Sequence, residues 1–274
     1  MVERDEKGRF VSKVEQEMEE KKEEKFNYYV WLIEHDIVGW TEQARKVNGW
    51  EFRPGDMKLE VKNPAPINAP WHYIKSTKGD CFKWMGLVFN ILSSRSKIQF
   101  VPSYCMNCYK VVVRPKTLKQ LFALENLQKR LNLPSKCGIE IRDYVPALYG
   151  GYFYNRGVEE GRKCYKIVRE AVDKDKVLGK DVDVYLKRSC TEMEQKFGDS
   201  DKWVEPSEKQ MEMEETLLSM IAYDPNGQGQ PPHFVAHVHK WWIEWAFQHG
   251  DMTYLEYTAG LPIQPLAKTY HEEE

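Results

Sequence analysis

Between Lys110 and Arg188 the spacing of apolar residues switches between a period of two and a helical period, and each switch marks an element. Lys110 to Arg114 (KVVVR) is a β-branched run closed by Pro115, which reads as a strand. Thr117 with Gln120 has the form of a capping box, and Leu118, Leu121, Leu124, Leu127 and Leu131 then recur at helical spacing until Pro134 approaches. Gly138 to Tyr144 (GIEIRDY) alternates again. VPALY is short enough for a hairpin, and Gly150 to Asn155 (GGYFYN) is the returning strand. A second amphipathic helix is predicted from Val158 to about Val172, with Val158, Tyr165, Val168 and Val172 on one face, and Asp181 to Arg188 (DVDVYLKR) is a last strand.

That order, β-α-β-β-α-β, predicts an α+β fold with a ferredoxin-like core. The expected strand order is 4-1-3-2, with the first and third strands as parallel neighbours and the second and fourth running the opposite way. The chain then divides into an N-terminal helical arm and connector (1–104), the ferredoxin-like core with a cysteine site at one end (105–190) and a C-terminal helical extension (191–274). In the arm, the Glu/Lys run Lys13 to Lys25 reads as a solvated helix leading into FNYYVWLIEHDIVGW, where Phe26, Tyr29, Ile33 and Ile37 recur at helical spacing. RPGDMKLEVKNPAPINAP, Arg53 to Pro70, is a connector with room for one strand at Met57 to Val61, and a helix follows at about Asp80 to Leu92.

Alternation in the strands sorts their residues by face. Val111, Val113, Ile139, Ile141, Phe153, Val184 and Leu186 are directed to the helices; Arg142, Tyr144, Tyr152, Tyr154, Tyr185 and Lys187 are left on the other side. An aromatic and basic face of this kind suits single-stranded nucleic acid, with bases stacked on rings and phosphates on Lys or Arg. The charge pattern points the same way: from Ser94 to Arg142 ten basic residues stand against two acidic ones, although the whole chain carries a net charge of −2. The competing reading is that the face is covered by the extension HFVAHVHKWWIEWAFQHG, His233 to Gly250, whose Phe234, Val238, Trp241, Trp245 and Gln248 trace one stripe. In that segment His233 and His237, with Glu244, are also candidate metal ligands, weighed against a packing helix with incidental histidines.

Composition adds the cysteines. With 274 residues, 42% of them hydrophobic, the chain can bury a real core. The N-terminus MVERDEKGRF lacks the apolar segment of a secretory signal, and WMGLVFNIL is too short to span a membrane, so a cytoplasmic protein with reduced thiols is expected. Of its six cysteines, Cys105 and Cys108 form a C-x-x-C before the first core strand and Cys190 follows the last, which places all three at one end of the sheet. Cys137, expected before the second strand and thus at the opposite end, is the doubtful fourth. Such a set suits zinc or an iron–sulfur cluster such as 4Fe-4S, and the spacing does not separate the two. Ser189 and Glu192 resemble a capping box that sets Cys190 in a first helical turn, where a thiol is acidified; no histidine base is nominated beside it. Cys164 and Cys81 read as small core residues.

Neither a P-loop, nor H-E-x-x-H, nor G-x-S-x-G occurs, so no motif nominates an enzyme class. Two functions are expected. One is a metal-stabilised protein that binds nucleic acid through the tyrosine-bearing face, with helical extensions free to meet a protein partner. The alternative is an iron–sulfur redox or lyase-type enzyme acting on a small molecule.

Overall fold

The β-branched run becomes an interior strand. The computed structural model describes residues 2–4, 10–12, 50–52, 59–61, 70–75, 101–219, 230–263 and 270. Five antiparallel strands form one sheet: β1 (Trp71–Lys75), β2 (Cys108–Arg114), β3 (Ser135–Ile139), β4 (Tyr149–Arg156) and β5 (Asp183–Arg188), in the spatial order β1-β3-β4-β2-β5. Two separate ribbons pair Val2–Arg4 with Phe10–Ser12 and Trp50–Phe52 with Leu59–Val61. The latter overlaps the expected strand at Met57 to Val61; the expected helices at Lys13 to Lys25 and Asp80 to Leu92 lie outside the described residues. The molecule is of the α+β class.

Two expectations about the strands fail. β2 and β4 are neighbours but antiparallel, Cys108 facing Arg156 and Val113 facing Gly151. The hairpin loop between β3 and β4 reverses the chain, so β3 runs with β2, and β4 and β5 run against both. The second core strand also begins earlier than expected, at Ser135, which moves Cys137 into the strand and leaves Ile141 exposed and Arg142 and Tyr144 in the loop. β3 is fixed by pairing on both sides, to β1 through His72↔Cys137 and to β4 through Cys137↔Gly151, which local alternation does not reveal.

The helices α1 (Leu118–Leu131) and α2 (Gly157–Lys174) cover one face. Thr117 caps α1 by accepting a hydrogen bond from the Gln120 amide, and the Gln120 side chain reaches back to the Lys116 amide at 2.8 Å. Asn132, in the left-handed region at φ 51°, ends the helix. Leu118, Leu121, Leu124 and Leu127 are buried against Val111, Val113, Ile139 and Phe153, each worth about 1.5–3 kcal/mol of transfer free energy. α3 (Thr191–Phe197), α4 (Glu208–Ser219) and α5 (Pro232–Gln248) follow.

α5 does not cover the tyrosine face, contrary to the competing reading of its sequence. It packs beside α1 over β1 and β3, on the helical side, burying Val238, Trp242 and Ala246. Two contacts hold it there. The Trp242 indole donates to the Pro70 carbonyl at 2.8 Å, and Asp251, just past the helix, accepts from the Leu118 amide at 2.5 Å and the Tyr149 hydroxyl at 2.6 Å. The outer edge of β1 is closed by the Gln230 amide, which accepts from the Tyr73 N–H and donates to the Trp71 carbonyl, both at 2.8 Å.

The height of α1 above the sheet is set by Gly151. A Cβ there would stand 2.4 Å from Leu124 Cδ2 and 3.2 Å from the Gln128 amide nitrogen, so the helix occupies the space a side chain would take. Gly151→Ala is expected to cost about 1–3 kcal/mol in urea denaturation by overpacking. Combined with Leu124→Ala, it should cost clearly less than the sum of the two single changes. A neutral Gly151→Ala would show that α1 is free to lift.

Candidate metal centre

One row across the helical face of the sheet reads His72, Cys137, Gly151, Val113, Val184, since these residues pair in register from β1 to β5. α1 descends onto that row at Gly151, which brings Glu125, next to Leu124, down to His72. α5, held beside α1, supplies His239. Glu125 Oε1 accepts a short hydrogen bond from His72 Nδ1 and another from His239 Nε2 at 2.7 Å, and Lys129 Nζ stands 3.2 Å from the same oxygen. The ligand atoms of His72, Glu125 and His239 all lie within 4.8 Å of one another; among the described residues no other His, Cys, Asp or Glu group does so.

The electrostatics follow from burial. Glu125 is 2% exposed. Removal from water by itself raises its carboxyl, but the hydrogen bonds from His239 and His72 and their charge outweigh that and hold it well below the usual carboxylate range. Cys137 borders the group: burial, and then the Glu125 charge, push its thiol well above the ordinary value. A carboxylate and two imidazoles from separate elements are the donor set of borderline divalent ions. His239, the partly exposed member, marks the solvent side; His72 and Glu125 lie within. Rings border His239, with Phe122 and Trp242 each 5.0 Å from its ring centre.

The sequence reading nominated other histidines. His233 and His237 are exposed on α5, one turn apart, whereas His239 lies on the buried stripe with Val238 and Trp242. A signal for Glu125 was present. It is the one acidic residue on the leucine stripe of α1, and a carboxylate on an apolar face requires a partner.

The proposed cysteine set is partly assembled. Cys105 lies on the single turn Ser103–Met106, Cys108 opens β2, and Cys190 follows β5, whose end is tied to β2 by the Ser189 amide donating to the Cys108 carbonyl at 2.7 Å. The Cys105 thiol is raised first by burial and then by the neighbouring Cys190 and Cys108, so the three sulfurs share one environment, though not within 4.8 Å of one another. Cys137 is not among them. It lies level with Val113, five residues or about 17 Å along β2 from Cys108, and on the opposite face. Its distance therefore comes from depth and face, since β3 starts at the same end as β2. The Ser189–Glu192 capping box does not form either: Cys190 is itself the N-cap residue of α3, and Ser189 stands before it at φ 53°. Cys164 is buried against the core, as expected, and Cys81 lies outside the described residues.

Of the residues expected to bind nucleic acid, Tyr152, Tyr154, Tyr185 and Lys187 lie on the outer face and Arg142 and Tyr144 in the β3–β4 loop, and most are engaged. Tyr152 is buried beside Trp71 and Val112. Its hydroxyl donates to Glu140 Oε2 at 2.8 Å, and burial pushes its pKa up to about 12, which keeps the proton in place. Glu140, wholly buried, also accepts from Arg142 Nε at 2.6 Å and Nη2 at 2.5 Å, with Arg114 at 3.6 Å. Arg142 reaches Glu192 at 2.7 Å as well, and the Tyr144 hydroxyl donates to the same oxygen at 3.1 Å. Lys187 is held by Glu194 at 2.6 Å and Thr191 at 3.2 Å. Tyr154 lies under the Lys110 ammonium, 5.2 Å from the ring centre, and the exposed Tyr185 accepts from Arg114 Nε at 3.2 Å.

Comparison with protein-family models, curated proteins and solved structures finds no match to the chain.

The Glu140 network has a pH signature. Burial alone would raise this carboxyl, but the Arg142 hydrogen bonds and charge, with Tyr152 and Arg114, bring it below its ordinary value. A depressed folded-state pKa gives stability that is present above the unfolded value of about 4.3 and is lost as pH falls through the folded value. Glu140→Gln should therefore lower stability at pH 7 by about 1.5–3 kcal/mol, and the deficit should shrink below about pH 4. Chemical denaturation at a series of pH values checks this, and a pH-independent deficit would contradict it.

Proposed function

We propose that the protein binds a divalent metal ion of the zinc class through His72, Glu125 and His239, and that the ion fastens the edge strand β1 and the helix α5 to α1. The sheet that carries it is read as a ferredoxin-like core widened by β1, a reading supported by the order β1-β3-β4-β2-β5. One observation carries the proposal: two imidazoles and a carboxylate from positions 72, 125 and 239 converge within 4.8 Å in a largely buried place. Three protein donors of this type leave a further coordination position on a tetrahedral ion, for water or another ligand. Neither expected function has comparable convergence behind it. On the sheet face, Arg142 and Lys187 are already neutralised by carboxylates, and an iron–sulfur cluster calls for thiolates that this group does not contain.

A centre that joins three elements makes metal binding part of folding free energy. Zinc added to chelator-treated protein at a free concentration 100-fold above its Kd should stabilise it by about 2.7 kcal/mol, read as a rise in Tm. His72→Ala and His239→Ala should each remove that increment and lower the bound zinc by one equivalent. Unchanged zinc content in both variants would overturn the proposal.

A further inference from the structure

The opposite face of the sheet holds a second donor set, at the far end of β2. Cys108 and Lys110 share a face with Val112, which packs on the outer side against Trp71 and Tyr152. In β5 the residues paired on that face are Tyr185 and Lys187, so continued alternation would send Cys190 to the helical side. It does not go there. Ser189 adopts φ 53°, a conformation that residues other than Gly, Asn or Asp seldom take, and the chain turns so that the Cys190 sulfur receives a hydrogen bond from Lys110 Nζ at 2.7 Å. Backbone strain is thus spent on directing one thiol to the face of Cys108. On the other flank Ser103–Met106 carries Cys105, and the Ser103 amide is anchored on the buried Glu214 carboxylate at 3.0 and 3.1 Å.

Two further features accompany the thiols on these segments. The hydroxyls of Ser103 and Ser189, one on each cysteine-bearing segment, are buried without a hydrogen-bond partner, and Ser189 is 1% exposed. Lys110, 6% exposed, brings a positive charge into an enclosure that already holds three thiols. Its ammonium lies 2.7 Å from the Cys190 sulfur, so a positive charge faces the thiols.

We propose that Cys105, Cys108 and Cys190 bind one soft divalent cation of the zinc class as thiolates, with Lys110 offsetting part of their negative charge. Binding releases the three thiol protons to solvent and changes no oxidation state. Side-chain rotation about Cα–Cβ brings the sulfurs, which already share one environment, onto the ion. This centre is independent of the histidine–carboxylate centre and lies on the other side of the sheet.

The probe is cobalt(II), added to the reduced, chelator-treated full chain. A near-ultraviolet thiolate-to-cobalt charge-transfer band is expected, absent in Cys108→Ser and Cys190→Ser and retained in His239→Ala and Cys137→Ser. No band at saturating cobalt would overturn the proposal. So would a band that survives both Cys108→Ser and Cys190→Ser but disappears in Cys137→Ser, because the thiolate would then belong to the histidine centre. A measurement on the unaltered chain makes the test independent of how the variants fold: zinc should slow alkylation of Cys108 and Cys190, read by peptide mapping. Equal alkylation with and without zinc would count against the site.

Discussion

Glu125 is the constraint around which the described structure is arranged. A carboxylate at 2% exposure loses several kcal/mol of hydration and survives as a charge only if donors replace that water. His72, His239 and Lys129 do so, and two of the three come from elements distant in sequence. The edge strand β1 and the helix α5 therefore answer to one buried charge on α1. A second carboxylate, Asp251, acts on the same helix at its amino end, where it accepts from the Leu118 amide and meets the positive end of the helix dipole. Between these contacts Gly151 fixes how close α1 comes to the sheet, and with it whether Glu125 reaches His72 at all.

Elements were legible in the sequence where the period was unambiguous. KVVVR and GGYFYN are β-branched or aromatic and became β2 and β4, and the leucine and valine stripes became α1 and α2 with ends close to those expected. SKCGI was not legible as β3 because Gly138 and the polar Ser135 and Lys136 weaken its pattern, while GIEIRDY beside it alternates more regularly. β3 owes its position to partners on both edges, one of them a five-residue strand, WHYIK, that alternation alone left unassigned.

The histidine–carboxylate group was hidden for a related reason. α5 carries aromatic residues around much of its circumference, so its buried phase could be drawn through Trp241 and Trp245 as readily as through Trp242 and Ala246. Only the second choice places His239 inward. The thiols were easier, because the topology brings the start of β2 and the end of β5 together whatever the exact registers. The directions expected for β3 and β4 relative to β2 were wrong, but β5 runs against β2 as expected, and Cys105, Cys108 and Cys190 share an end because that depends only on β2 and β5 being antiparallel neighbours.

Strand parity then sorts the donors. Cys108 and Cys137 each lie in a strand of the same sheet, but the register puts Cys108 on the outer face and Cys137 beside His72 beneath α1, so the two thiols cannot join one centre without breaking the ladder. Nitrogen and oxygen donors collect on the helical side, where α1 and α5 can supply them. The Cys108 and Cys190 sulfurs come together on the outer side, where the turn at Ser189 overrides the alternation of β5. A left-handed serine costs on the order of 1–3 kcal/mol, and a fold keeps such a cost where the surrounding contacts impose it. Here the Ser189 amide is locked onto the Cys108 carbonyl on one side, and Cys190 is drawn to Lys110 on the other. The strain at Ser189 thus follows from joining the end of β5 to the start of β2 while directing the next thiol outward.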